Sequence, residues 1–279
     1  MLPEFSSVTA RTKEEAIRSL RDHPGSALLA GGTDLLVRMR RGEARAHLVD
    51  ITRVPELCGF AAKDGHLCIG ACTTHSAISR NADIINGARS LAHACGLVGS
   101  PQIRNMGTIG GNLVNASPAA DSIPPLLVHD AQLTLESNEG AKVESLESFI
   151  VAPYKTVISA TEILSSVVIE TLKGYEEGYR RVAKRATLSI SRLSIAWAIK
   201  EEEKRFADVR LAIGSCTPMP FRPRKVEGFL KGQKREKGVA EEAVTMILDE
   251  IRTITGERPS FLYKLPVVRD LLLAILGGR

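Results

Sequence analysis

Two glycine-rich segments carry the residue types best suited to gripping an anionic ligand. The first is Ala30-Gly31-Gly32-Thr33-Asp34-Leu35. Glycines permit positive φ and close backbone approach, so successive N–H groups can converge on an anion, and Thr33 adds a hydroxyl. A helix after the turn would contribute the favourable end of its dipole. Alone, a Gly-Gly-Thr run is more often merely a turn. The second segment runs Gln102-Ile103-Arg104-Asn105-Met106-Gly107-Thr108-Ile109-Gly110-Gly111-Asn112-Leu113-Val114-Asn115-Ala116-Ser117-Pro118-Ala119-Ala120-Asp121. It gathers a glycine pair, hydroxyls, amides and a carboxylate, a set that can offer N–H groups to a diphosphate and acceptors to sugar or ribityl hydroxyls. Neither segment has the GxGxxG spacing of the dinucleotide fingerprint, and no Gly-Lys-Ser/Thr follows to make a P-loop. On local chemistry, a structural loop and a ligand site both stay open.

The elements that must position these turns are readable on either side of them. Thr12-Lys13-Glu14-Glu15 forms a capping box, Ala16, Ile17 and Leu20 give an apolar face, and Pro24-Gly25 ends the helix. An apolar strand, Ala27 to Ala30, runs into the first glycine turn; a short helix with Leu35, Leu36 and Met39 follows, then a strand over His47 to Ile51. Further strands are expected at Leu67–Ala71, Gln132–Glu136 and Glu162–Ile169, with helices at Ala88–Cys95 and Ser145–Ile150. Between Gly96 and Asp121 no period is sustained, so this stretch is expected to be a long irregular segment, which is usually functional. Thr171 to Gly178 reads as the internal boundary. Beyond it lie strands at Ile195–Lys200 and Val209–Gly214, joined by a charged connection, then helices at Arg224–Leu230, Val239–Ile251 and Ser260–Leu276. Strands followed by helices suggest a small α+β second domain.

Composition narrows the function classes. A chain of 279 residues with 44% hydrophobic and 25% charged content is an ordinary globular protein, long enough for one large domain or two modest ones. The formal charge is +5, but aromatic residues are only 4% and the positive charge is scattered, which argues against nucleic acid. Its clusters, at Arg38/Arg40/Arg41/Arg45, Arg180/Arg181/Lys184/Arg185 and Arg222/Arg224/Lys225, read chiefly as solvated surface. The first residues lack a signal peptide's basic and apolar regions, and no apolar run approaches the roughly 20 residues needed to span a bilayer, so the chain reads as cytoplasmic. Five cysteines, Cys58, Cys68, Cys72, Cys95 and Cys216, make an odd count without a secretory signal and read as buried small hydrophobes. No metal site is expected. His75 and His93 read as structural, and Asp50 and Asp130 as turn or capping residues.

Taken together, the two glycine turns with Ser117-Pro118 and Asp121, supported by Ile69-Gly70-Ala71-Cys72-Thr73-Thr74-His75 and Gln102-Ile103-Arg104-Asn105, resemble the FAD-binding subunits of the xanthine dehydrogenase and carbon monoxide dehydrogenase family. The likeness runs nearly the whole length. It implies an α+β chain: a two-lobed vanillyl-alcohol-oxidase (PCMH)-type FAD-binding domain over residues 1–173 and a small C-terminal flavoprotein domain over 174–279. It further implies that Gly31, Gly32, Thr33 and Asp34 contact the FAD phosphates, mostly through backbone, with Leu29, Ala30 and Leu35 flanking. Thr108, Gly110, Gly111 and Asn112 would complete the cradle, Val114 would lie near the isoalloxazine, Asp121 would bind an FAD hydroxyl, and Leu164 would pack nearby. Two segments depart from the family pattern. The basic run Tyr179 to Arg185 matches only loosely, and Ser260-Phe261-Leu262-Tyr263-Lys264 has Lys where the family has Arg. A point charge there replaces a guanidinium fork.

The function so implied is electron transfer from a molybdenum-cofactor subunit, through a 2Fe–2S subunit, to this FAD and on to NAD+ or another acceptor. No general acid or base is assigned, because flavin supplies the redox chemistry. A stand-alone FAD oxidoreductase and a flavin-free assembly subunit are the alternatives. They differ in whether the isolated chain turns over a substrate or is colourless.

Overall fold

Leu48 and Val49, both buried, form the centre of a small parallel sheet that opens the chain. It comprises β1 (Ser6–Thr9), α1 (Lys13–Asp22), β2 (Ala27–Leu29), α2 (Leu35–Arg40) and β3 (His47–Asp50), with strand order β1-β3-β2. The computed structural model describes residues 2–185 and 188–278, so the outermost residues of the two expected domains, 1 and 279, lie outside the described residues. Half of the expected capping box forms: Thr12 accepts from the Glu15 N–H, while the Glu15 carboxylate reaches one residue further back and accepts from the Arg11 N–H. Ala16, Ile17 and Leu20 then bury α1 against the sheet with Val49 and Ile51.

A larger antiparallel unit follows. Its elements are β4 (Phe60–Lys63), β5 (His66–Gly70), α3 (His75–Arg80), α4 (Ala82–Gly87), α5 (Arg89–Leu97), α6 (Pro101–Met106), α7 (Ile109–Asn115), α8 (Ile123–Val128), β6 (Gln132–Ser137), β7 (Gly140–Ser145), α9 (Leu146–Phe149), the pair β8 (Ile150–Ala152) and β9 (Lys155–Thr156), and β10 (Ile163–Glu170). The sheet order is β4-β5-β10-β6-β7. Val167 lies opposite both Ile69 and Leu133, so these buried residues make one apolar row across three strands. Against that face pack Ile84, Leu91, Ile109, Leu113, Ile123 and Leu126 from the helices.

The stretch from Gly96 to Asp121 differs from its expectation. It contains α6 and α7, each opened by a side-chain cap: Ser100 accepts from Ile103 N–H and Thr108 from Gly111 N–H. Both helices are too short, and α6 too exposed, to show an apolar period.

The C-terminal part is a three-stranded antiparallel sheet, β11 (Glu176–Ala183), β12 (Ser191–Glu202) and β13 (Arg205–Gly214), covered by α10 (Arg224–Leu230), α11 (Lys237–Thr255) and α12 (Phe261–Leu276). Alternation along β12 sends Leu193, Ile195 and Ile199 toward these helices, while Ala196 and Ala198 join the core of the preceding unit. Tyr179 and Ala212 share that inner face. Gly178 lies opposite Trp197, whose ring occupies the space a side chain would need, 2.3 Å from an added Cβ.

Three surface expectations are corrected. Cys58 is exposed and Cys68 half-buried, so only Cys72, Cys95 and Cys216 are buried. Arg222 is not solvated: it is buried and forked onto Glu227, with further bonds to Asp130 and the Leu127 carbonyl. Asp130 is no simple cap, since it pairs with Arg210, Arg222 and Arg224 and joins the two parts of the molecule. Asp50 does hold a turn, accepting from Thr52 N–H and hydroxyl. Among the described residues no helix is long and apolar enough to cross a membrane.

Candidate functional site

A cleft of about 590 Å3 separates the parallel-sheet unit from the antiparallel unit. That volume falls in the range of pockets that hold cofactor-sized ligands. Both glycine segments line it. The first contributes Ala30, Gly31, Gly32, Thr33, Asp34 and Leu35; the second contributes Gly107, Thr108, Gly110, Gly111, Asn112, Val114 and Asn115. Leu164 reaches the cleft at a bulge in β10, between Leu164 and Ser166. A bulge re-aims a side chain away from the regular alternation.

The two turns meet directly. A Cβ built on Gly31 would stand 1.9 Å from the Met106 carbonyl oxygen and 3.0 Å from Gly107 Cα, so only glycine permits this approach. Gly32 adopts φ +68°, the left-handed conformation that turns the chain from β2 into α2. They are not equivalent, however. Among the described residues, nothing accepts a hydrogen bond from the N–H groups of Gly31, Gly32, Thr33 or Asp34. In the second segment most donors are used internally. Ile109 N–H donates to Thr73 O at 3.0 Å, Gly110 N–H to Ala71 O at 2.8 Å, Asn112 N–H to Thr108 O, and Gly111 N–H to Thr108 Oγ1. The first turn therefore offers donors, and the second forms a braced wall facing them.

His75 helps brace that wall. Its backbone N–H donates to Gly107 O at 3.0 Å, and its buried ring lies beside Gly107 with Nδ1 near Cys95 Sγ. Burial, with Arg104 adding to it, pushes the imidazole down to about 4, so the ring is neutral near pH 7. Cys72, also on the cleft, is pushed up to about 12 by burial, with Cys58 and Asp50 nearby, and is an inert thiol.

Two expected site residues are placed elsewhere. Leu29 ends β2 and is not among the cleft-lining residues. Asp121 is buried and also does not line the cleft: its carboxylate accepts from Tyr179 Oη at 2.6 Å, from Arg181 at 2.9 Å and from the Ser191 hydroxyl. It ties the loop before α8 to the C-terminal sheet, and burial together with Asp121 raises the Tyr179 phenol well above its ordinary range.

Several cleft residues lie outside the two glycine segments. Arg38, Glu43 and Arg45 border it from the first unit, and Tyr154, Ser159 and Glu162 from the second. Tyr154 sits at the tip of the β8–β9 hairpin with φ +59° and donates its N–H to Ala116 O, where α7 ends in a left-handed residue. A non-glycine residue at positive φ next to a proline was a usable hint only once the hairpin was known. Burial would raise the Glu162 carboxyl, but Lys142 and the Ser159 N–H hold it below the usual range. The Glu43 carboxyl is also held low, chiefly by its bond from Arg45 and then by Arg38.

Comparison with known proteins gives consistent matches over this geometry. Residues 3–172 match the family model described as the FAD binding domain in molybdopterin dehydrogenase, and residues 178–277 match the CO dehydrogenase flavoprotein C-terminal domain. The chain is 30% identical to the glyceraldehyde dehydrogenase medium chain of Sulfolobus acidocaldarius, over 97% of this chain and 96% of that protein. It is 29% identical to the xanthine dehydrogenase FAD-binding subunit of Escherichia coli O157:H7, covering 96% and 93%. Its fold is similar to a chain of the carbon monoxide dehydrogenase of Hydrogenophaga pseudoflava, with a TM-score of 0.89, 23% identity and 99% and 96% coverage.

Proposed function

Because the chain belongs to the family of FAD-binding subunits of molybdopterin dehydrogenases, we propose that it is the electron-transfer flavin subunit of a molybdenum hydroxylase or dehydrogenase complex. In this reading a molybdenum-cofactor subunit and a 2Fe–2S subunit deliver electrons, and NAD+ or another soluble acceptor in the cytoplasm removes them. The chain is thus an FAD-dependent oxidoreductase subunit.

One observation carries the placement of the cofactor: four consecutive N–H groups, Gly31 to Asp34, without partners among the described residues, in a cleft faced by the braced Thr108–Asn112 wall. Unmet backbone donors are costly to leave dry, and a diphosphate satisfies several at once. The Gly31–Asp34 amides would hold the phosphates, with Ala30 and Leu35 flanking. Thr108, Gly110, Gly111 and Asn112 would set the opposite side, and Val114 and Leu164 would supply apolar contact to the ring system. FAD, when bound, accepts electrons singly or as a hydride and so joins the two modes. The chain itself binds, orients and screens; no residue is assigned proton transfer. Leu29 and Asp121 would act one layer out, Leu29 through β2 and Asp121 by fixing the neighbouring C-terminal sheet. We divide the chain into an FAD-binding domain over 1–173 and a C-terminal domain over 174–279. The turn at Lys173-Gly174, with Gly174 at φ +82°, and the interval between the two family matches support that division.

The test is a visible spectrum of the purified chain, then anaerobic addition of NADH. Flavin bands bleached by NADH are the expected result. A colourless chain that takes up no added FAD would overturn the reading, and flavin bands untouched by NADH would remove NAD+ as the acceptor.

A further inference from the structure

Arg38 lies one helical turn beyond the first glycine segment, on α2, and its guanidinium reaches across the cleft. Nη1 donates to Oδ1 of Asn115, the last residue of α7, which itself begins at the second glycine segment. Nε pairs with Glu43 at 2.9 Å, and Glu43 in turn accepts from Arg45 at 2.7 Å. All four residues line the cleft. Its lining holds the carboxylates of Asp34, Glu43 and Glu162 against only two guanidiniums, Arg38 and Arg45. An entering diphosphate is repelled less while Arg38 and Arg45 each hold the Glu43 carboxylate and Lys142 holds Glu162.

We propose that Arg38 is a positioning residue for bound FAD: through Asn115 and Glu43 it clasps the two glycine segments together and keeps the Glu43 carboxylate from repelling the diphosphate. This rests on the FAD reading above. The Arg38 side chain is 43% exposed, so the clasp adds little to the empty chain. Once the cofactor excludes water from the cleft, the same charges interact in a lower dielectric and count for more. A lysine could not make both contacts, because the geometry uses Nη1 and Nε of one planar fork in two directions.

The experiment strips flavin from the purified full-length chain, reloads it with FAD, and follows release by recovery of flavin fluorescence. R38A and N115A should each release FAD at least about tenfold faster, R38K should behave like R38A, and R38A/N115A should be no worse than the poorer single variant, as expected for two ends of one contact. R40A, on the exposed side of α2, should match wild type, and melting temperatures of all FAD-free forms should coincide. Wild-type release from R38A sinks the clasp while leaving FAD binding intact. Fast release from R38A with normal release from N115A also sinks it, leaving Arg38 as an isolated charge. A wild-type chain that takes up no FAD sinks the cofactor reading itself and the clasp with it.

Discussion

At Gly31 a single methyl group would collide with main chain rather than with a yielding side chain. G31A is therefore expected to cost about 3 kcal/mol in urea unfolding, the upper part of the usual range for overpacking, and to abolish FAD uptake. G25A, where nothing lies within 4 Å, should cost only about 1 kcal/mol for its positive φ and leave uptake unchanged. His75 gives a pH prediction. Its folded value, about 4, lies below the ordinary 6.5, so between those values the unfolded chain takes a proton that the native ring refuses. Stability contributed by the neutral ring is complete above pH 6.5 and drains away as pH falls toward 4. Unfolding of H75Q should show a pH slope over that window shallower by about one proton, and identical slopes would refute the assignment. The glycines were legible as residues because their conformational demands are local. Tyr154, Ser159 and Glu162 were not, since each becomes a cleft residue only when segments far apart in sequence are brought together. Asp121 shows the opposite limit. Its place near the second turn in sequence did not foretell that Tyr179, Arg181 and Ser191 would occupy its oxygens.

Among elements, α7 depends on one hydroxyl. Thr108 Oγ1 accepts from Gly111 N–H at 3.1 Å, and the same residue lies opposite Thr74 in an isolated antiparallel bridge. T108A should lose about 1 kcal/mol, typical of an N-cap, with T108S restoring most of it; equal stability of all three proteins would remove the cap from the account. Long amphipathic elements such as α1, α11 and α12 were legible from their apolar spacing. The short helices α6 and α7 were hidden because six or seven residues bury too little to show a period. Their caps were the readable signal: Ser100 followed by a first-turn proline, and Thr108 three residues before Gly111. β11 was missed for another reason. Its inner residues Glu177, Tyr179 and Arg181 are polar, because they meet Ser90, His129 and Asp121 rather than an apolar layer.

Over the whole molecule, the C-terminal sheet serves two cores. Its inner face of Tyr179, Ala196, Ala198 and Ala212 lies on α5 and α8, and its outer face carries Leu193, Ile195, Leu211 and Ile213 under α10 to α12. Small residues on the inner face let the sheet approach closely. A196L should destabilise the chain by about 2 kcal/mol in urea, with FAD affinity unchanged because Ala196 does not line the cleft. A loss of affinity matching the loss of stability would show that the sheet shapes the site. The two-part architecture was legible from the order of strands and helices; the sharing of one sheet between both parts was not, since it depends on which side of each strand meets which neighbour. That sharing has a mechanical corollary. Between the outermost helices and the prolines of α8 stands a single ply of backbone, pinned along one edge by the Asp130 arginines. A shift of those helices would bear on α8 through this one layer, and the Ser122 hydroxyl at the head of α8 donates to Asn112 on the cleft.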